Sequence, residues 1–345
     1  MLLYAAPAIY TPQLYICVVI SINSPQSLTG SAARRPIYFL LCAVCVLFLT
    51  AFPSDAAKAV ADALRLCALA VIPSLFPFIV VNSLLVDTGF AFFVARFIGR
   101  PVSALFAVSV AGGAAFLLGA LSGFPLGAEC AARLYERGQC TKDDAERLIA
   151  FCNNTGPAYL VGGIGIAMWG SPKIGWLIYV SQLLSAVIVG TALRFTRAGP
   201  PLPPMSDENT DPDLSASVFT SAISGASLSM LKICGFITAF SVLCAMVRRG
   251  ALLSGYPLEG RTFALLFGFL EITAGASAAS EVGGSLGIAL TAAAVGWSGL
   301  SVHMQTASVL AGKGLSMKRY TAGKAAQGIL CALIACAGAL LLNCE

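Results

Sequence analysis

Long apolar runs set the pattern of this chain. Between ionisable residues lie intervals 66–86 (21 residues), 101–128 (28), 148–172 (25), 174–193 (20), 282–312 (31) and 325–344 (20). A helix that crosses a bilayer needs about 20 predominantly apolar residues. Each interval therefore reads as a span or as a segment that enters the membrane and returns. The runs 37–52 and 233–247 are shorter and must borrow flanking residues. The pattern predicts an all-α, polytopic integral membrane protein.

Polar and helix-breaking residues interrupt these runs at matching places in the two halves. Ser122-Gly123-Phe124-Pro125 is followed by Cys152-Asn153-Asn154-Thr155-Gly156-Pro157, and Glu271-Ile272-Thr273-Ala274-Gly275 by Trp297-Ser298-Gly299-Leu300-Ser301-Val302-His303. Non-helical backbone and polar side chains at membrane depth are tolerated where they line a cavity, which makes a transporter the first hypothesis. The expected layout is a first membrane repeat, 34–194, with a re-entrant hairpin at 101–128 whose tip lies near 119–127 and an interrupted helix at 148–172. A second repeat, 215–345, has a hairpin at 262–281 and an interrupted helix at 282–312. The proline-rich acidic stretch 195–214 reads as the linker between them, since proline removes backbone donors and acids resist burial. A constant shift of 145 residues places Asn154 on Gly299 and Gln182 on Gln327.

Loop charges add an orientation. The final helix of the first half is followed by Arg194 and Arg197, whereas that of the second is preceded by Lys313, Lys318, Arg319 and Lys324. Basic loops favour the cytoplasm, so the two helices should run in opposite directions and the repeats be inverted. Arg248, Arg249 and Arg261 then fall on the outer side, against the rule. The stretch 55–69, with Lys58, Asp62 and Arg65 at helical spacing, reads as a segment along the membrane surface. Residues 1–33 carry no charge, and a secretory signal would need a basic start. They are expected to be an extra hydrophobic segment or the product of a mis-set start.

Composition agrees: 58% of residues are hydrophobic and 11% charged, against about 25% charged in ordinary soluble domains. The net charge of +5 sits in short loops beside spans and does not indicate nucleic acid. Twelve cysteines are scattered through apolar stretches. Cys42 and Cys45 form a CxxC without a second pair at metal spacing, so packing is favoured over metal or redox chemistry.

The candidate chemistry is confined to the breaks. Gly119, Gly123 and Gly127 suit close helix packing, while Ser122 and Pro125 favour a hairpin tip. Asn153 and Asn154 are costly in an uncharged run unless their amides are satisfied. After them Thr155 could cap a restarting helix, with Pro157 near its first turn and free N–H groups facing a ligand. The opposing reading is an ordinary interfacial cap. Glu271, at that depth, should be protonated, paired or wet. It could bind a coupling proton or cation, or equally be a structural acid. His303 has Ser298, Ser301 and Gln305 for company but no second ligand at zinc spacing. The chain has no GxxxxGK[ST] phosphate loop and no nucleophile–base pair at recognisable spacing, so neither ATP-driven transport nor an enzyme is expected.

The blocks Gly123-Phe124-Pro125-Leu126-Gly127-Ala128, Phe151-Cys152-Asn153-Asn154, Glu271-Ile272-Thr273 and Gly299-Leu300-Ser301-Val302-His303-Met304-Gln305 resemble the YlbJ (SpoVV) family of sporulation integral membrane proteins, from about residue 34 to the C-terminus. The resemblance implies a nucleoside-recognition or gate-type membrane domain, similar in plan to concentrative nucleoside transporters, with two re-entrant hairpins and two interrupted helices around a central site. It also implies a role in endospore formation, in moving dipicolinic acid from mother cell toward forespore across the outer forespore membrane.

The expected protein is thus a secondary transporter of a small organic anion, dipicolinate by resemblance. Ser122, Gly123, Asn153, Asn154, Thr155, Ser298, Ser301 and Gln305 would contact the solute, and Glu271 and His303 would serve coupling or orientation. No metal or organic cofactor is expected; the partners are the solute, the bilayer, a coupling proton or cation, and a second copy if the protein is a homo-oligomer. The alternatives are a permease for nucleosides or other neutral solutes, and a non-transporting scaffold for sporulation partners.

Overall fold

The computed structural model describes residues 35–87, 99–198, 216–256 and 258–342. The extension 1–33 and most of the linker, 199–215, lie outside them. All regular elements among the described residues are helical. The chain divides into two compact units, one ending at Pro53 and the other running from Ser54. Of the first, helix α1 (Arg35–Ala51) is described, a 17-residue apolar helix with Phe39, Leu40, Leu41 and Leu47 exposed.

The second unit opens within α2 (Pro53–Leu66), which passes through a π-helical turn, Cys67–Val71, into α3 (Ile72–Asp87). The amphipathic stretch expected to lie separately along the surface is therefore the first part of a continuous helix, Pro53–Leu85. The π turn carries the backbone through the junction, so no break isolates the charged residues.

Helix α4 (Arg100–Phe106) meets α5 (Val110–Ser122) at 95°, the corner made at Ala107 with φ 51°. Ser109 caps α5 by accepting from the Gly112 amide. The chain reverses at Gly123–Pro125 into α6 (Leu126–Glu136). The hairpin limbs are thus Val110–Ser122 and Leu126–Glu136, a boundary later than 101–128, because the corner at Ala107 already separates α4. Thr141 caps α7 (Lys142–Cys152), which stops at Asn153; the helix resumes at Pro157 and continues as a π-helical limb, Tyr159–Ile166. Helix α8 is Pro172–Leu193.

Helix α9 (Ala216–Leu253) is 38 residues long, and Lys232 and Arg248 lie within it although they bound the apolar run 233–247. Lys232 is exposed, and a long amine stem can reach polar surroundings from an apolar helix. A second hairpin follows: α10 (Gly260–Leu270) and α11 (Ile272–Val282) meet at Glu271. Its limbs press together so closely that a Cβ on Gly275 would lie 2.2 Å from the Gly268 Cα. Then come α12 (Gly284–Trp297), a one-residue break at Ser298, α13 (Gly299–Leu310) and α14 (Lys318–Leu341).

Five helices among the described residues are long and apolar enough to cross a membrane, and α4 with α5 would make a bent sixth. Leucine, isoleucine and phenylalanine side chains stay exposed along α8, α9 and α14, including Leu184, Leu231 and Leu333. Such faces suit lipid, and the protein is an integral membrane protein.

One polar seam fastens α7 to the first turn of α14 and the segment before it. Asp143 accepts from Arg147 (3.0 Å), from Arg319 (2.6 Å) and from the Ala198 amide (3.3 Å). Burial alone would raise the Asp143 carboxyl, but the Arg319 and Ala198 hydrogen bonds and the two guanidinium charges outweigh it and hold it below the usual carboxylate range. Arg147 is fully buried and also donates to Asp144 and to the carbonyls of Phe106 and Ala107, so it ties off the end of α4. Glu146 accepts from the Ser316 amide, and Lys313 donates to Glu136.

Candidate functional site

Each hairpin tip abuts the break of the interrupted helix that follows it in sequence. A Cβ on Gly123 would sit 2.9 Å from the Gly156 nitrogen, and one on Gly299 would sit 3.2 Å from the Ile272 nitrogen and the Leu270 oxygen. Gly123 and Gly299 have φ of 86° and 60°, a region glycine enters without the Cβ clash other residues meet. Only glycine satisfies both the conformation and the contact. Trp297 locks the second pair by donating from Nε1 to the Phe269 carbonyl (3.0 Å) and stacking on that ring at 5.3 Å.

Both tips, the first break and the start of α13 just beyond the second break border one cavity, with about 40 Å³ open to water-sized molecules. Its polar side is formed by Thr155, Glu271, Thr273, Ser301 and Gln305, and Gly123 and Gly156 bring backbone to it. Its apolar side comes from Phe124, from Val71 and Leu75 of the α2–α3 helix, and from Ile233 and Ile237 of α9. Tyr159 joins the π-helical limb to α11, its hydroxyl 2.6 Å from the Thr273 hydroxyl.

Two cavity-lining side chains keep unused polar atoms. Thr155 Oγ1 and Gln305 Oε1 are buried without a hydrogen-bond partner, in residues only 2% and 5% exposed. Such groups are costly unless a bound molecule or water meets them. Thr155 therefore does not cap the restarting helix, and its N–H is not free either: Gln182 Oε1 accepts from it at 3.0 Å, while Gln182 Nε2 donates to the Thr155 carbonyl at 2.9 Å. Gln182 from α8 thus replaces the helical bonds lost at the break. Gln182→Leu removes both and is expected to cost about 3 kcal/mol, read as a lower thermal midpoint of the purified protein in detergent.

Glu271 is 4% exposed and lines the cavity. Its Oε2 accepts from the Ala274 amide at 2.8 Å, so it caps α11. None of the ion pairs among the described residues includes it. A group of His, Cys, Asp and Glu suited to hold a metal is absent among the described residues.

Of the residues singled out in the sequence, Gly123, Thr155, Glu271, Ser301 and Gln305 line this cavity. Ser122, Asn153, Asn154, Ser298 and His303 are not among its lining. Asn153 donates to Thr306 (3.0 Å) and Tyr320 (3.4 Å) and accepts from the Ala128 amide (3.4 Å), so its amide is consumed in joining α6, α13 and α14. Asn154 donates to the Phe151 carbonyl and accepts from Gln327 at 2.7 Å. Ser298 forms the left-handed break, φ 72°, with its hydroxyl turned to the Val295 carbonyl. Ser122 ends α5 beside Gly156. His303 lies between Trp297 and Tyr320, with ring centroids at 4.2 and 4.8 Å. Its Nδ1 faces the Gly299 carbonyl at 2.8 Å; a carbonyl only accepts, so Nδ1 carries the proton.

The apolar wall, Gln182, Gln327 and Lys324 were not anticipated here. Lys324 was counted with the loop charges before the last helix, yet it lies inside α14 and is 1% exposed. A lysine that ends an apolar run looks like a span boundary, and only its packing against α7 and α8 reveals otherwise.

No family model and no solved structure matches the chain. The sporulation integral membrane protein YlbJ of Bacillus subtilis (strain 168) is 27% identical over 330 residues, spanning 85% of this chain and 81% of that protein. This similarity agrees with the resemblance drawn from the Phe-Cys-Asn-Asn and Leu-Ser-Val-His blocks: over most of its length the chain is similar to a sporulation integral membrane protein.

Proposed function

We propose that this protein is a secondary transporter of a small organic anion, with dipicolinate as the leading solute, acting in sporulation as the name of its relative suggests. The observation that carries the reading is the meeting of two hairpin tips, one helix break and the start of α13 at one cavity whose lining residues retain unpartnered polar atoms.

The cavity is polar on one side and apolar on the other, which fits a flat aromatic ring bearing carboxylates. The Thr155 and Ser301 hydroxyls can donate to carboxylate oxygens, the unpartnered Gln305 Oε1 can accept from a protonated carboxyl or a water, and Phe124, Leu75, Ile233 and Ile237 can cover the ring. Glu271 would repel a carboxylate when ionised and donate to it when protonated, so solute and proton would bind together. About 40 Å³ holds only a few waters. Dipicolinate is larger than that, so the solute would enter only when the hairpins part from the α3 and α9 wall. We place the two hairpin-and-break units in inverted repeats, as loop charges suggest, with alternating access by movement of one against the other.

Uptake of labelled dipicolinate into proteoliposomes tests this directly. Purified protein should accumulate it above empty vesicles, and Gln305→Leu should lower the rate at least about tenfold if that amide contacts the solute. No uptake by the wild type would sink the reading. One observation favours a nucleoside instead: an ionised Glu271 accepts readily from ribose hydroxyls. Competition by uridine, but not by pyridine carboxylates, would select that alternative.

A further inference from the structure

Lys324 is a fully enclosed amine whose described partners are uncharged. Its Nζ donates to Gln327 Oε1 at 2.8 Å and to Asn154 Oδ1 at 3.3 Å. None of the ion pairs among the described residues includes it. Other buried or half-buried cations are treated differently: Arg147 has two aspartates, Arg319 has Asp143 and Lys313 has Glu136. Burying a charge without an opposite one is costly, and such positions in membrane helices are characteristically functional.

The network around Lys324 leads to the cavity. Asn154 immediately precedes Thr155, whose hydroxyl oxygen is unpartnered at the cavity wall. Gln327 Nε2 donates to Asn154 Oδ1 (2.7 Å) and to the Gln182 carbonyl (3.2 Å), and Gln182 holds the Thr155 backbone on both sides. The amine is thus fixed directly behind the broken helix, with neutral amides between it and the cavity. Amide dipoles ordered by a cation turn their oxygens toward it and transmit its field rather than cancel it.

We propose that Lys324 is the counter-charge that selects an anionic solute, acting from behind Thr155 without touching the solute itself. This rests on the transporter reading and deepens it. The Thr155 hydroxyl offers a hydrogen bond that the oxygen of an amide or of a carboxylate could accept. Lys324 distinguishes the two, because only the carboxylate gains from a nearby positive charge. Glu271, which also lines the cavity, must be neutral for the same preference to hold.

The test compares two probes of nearly equal shape: dipicolinate and its uncharged analogue pyridine-2,6-dicarboxamide. Binding of each to the full chain in lipid nanodiscs is measured by calorimetry. Lys324→Gln, whose amide keeps donors for Asn154 and Gln327, is expected to weaken dipicolinate by about tenfold, the effect of one unit charge across a partly polar interior. The dicarboxamide affinity should not change. Lys324→Arg, which keeps the charge, should retain the preference for dipicolinate. Equal weakening of both probes would mark Lys324 as structural and overturn the proposal, as would unchanged dipicolinate binding in Lys324→Gln. Failure of the wild type to bind either probe would instead remove the transporter reading, and this inference with it.

Discussion

Replacing Glu271 by glutamine is expected to abolish the response of solute uptake to a proton gradient while leaving solute binding intact. Glu271 lines the cavity, is buried and lacks a cationic partner among the ion pairs of the described residues. An ionised carboxylate there opposes an incoming carboxylate, whereas the protonated acid can donate to it. One proton would therefore accompany each solute anion. In proteoliposomes a gradient of one pH unit, acidic outside, then supports about tenfold more accumulation per coupled proton. Glutamine mimics the protonated acid permanently, so the gradient should have no effect on Glu271→Gln while exchange of internal for external solute persists. The α11 cap is not lost with the charge, because the glutamine oxygen can still accept from the Ala274 amide. Gradient-driven accumulation that survives in Glu271→Gln would place coupling elsewhere.

The second large effect is on assembly. A methyl added at Gly119 would lie 1.9 Å from the Cys152 carbonyl oxygen, and 3.0 Å from the Gly127 Cα on the opposite limb. Both neighbours are backbone, so no side chain can swing away. Gly119→Ala must separate α5 from α6 and from the end of α7 together, at a cost of about 3 kcal/mol or more. The control is Gly235→Ala in the middle of α9, where nothing lies within 4 Å of the new carbon. That change should be neutral or stabilising by about 0.5–1 kcal/mol, since glycine is the weaker helix former. Thermal midpoints from detergent-solubilised protein separate the two. Equal midpoints would mean that the first hairpin is not closed in the way described.

Much of the architecture could be read before any coordinates. Gly123-Phe124-Pro125, Asn153–Pro157, Glu271 and Ser298-Gly299 mark the four interruptions, because glycine, proline and polar side chains are the residues a helix in lipid avoids. Which of them face the cavity could not be read. Asn153 and Asn154 look like ligands for a solute, yet their amides are taken by Thr306, Tyr320 and Gln327, residues 153 to 173 positions away in the chain. Thr155 looks like a cap, and only the intervention of Gln182 frees its hydroxyl. The long reach of α9 was hidden by Lys232, and the depth of Lys324 by its place at the end of an apolar run. Spacing reports where a helix stops; partners brought in from elsewhere decide what the exposed groups then do.

The seam between α10 and α11 leaves no slack. With Gly275 lying on Gly268, these limbs cannot flex apart without losing their contact, so the pair behaves as a stiff paddle carrying Glu271 at its leading edge. At one end of that paddle stand Gly283 and Gly284, with φ of 70° and 58° and open space around both. Torsion there would swing the leading edge while the blade kept its shape.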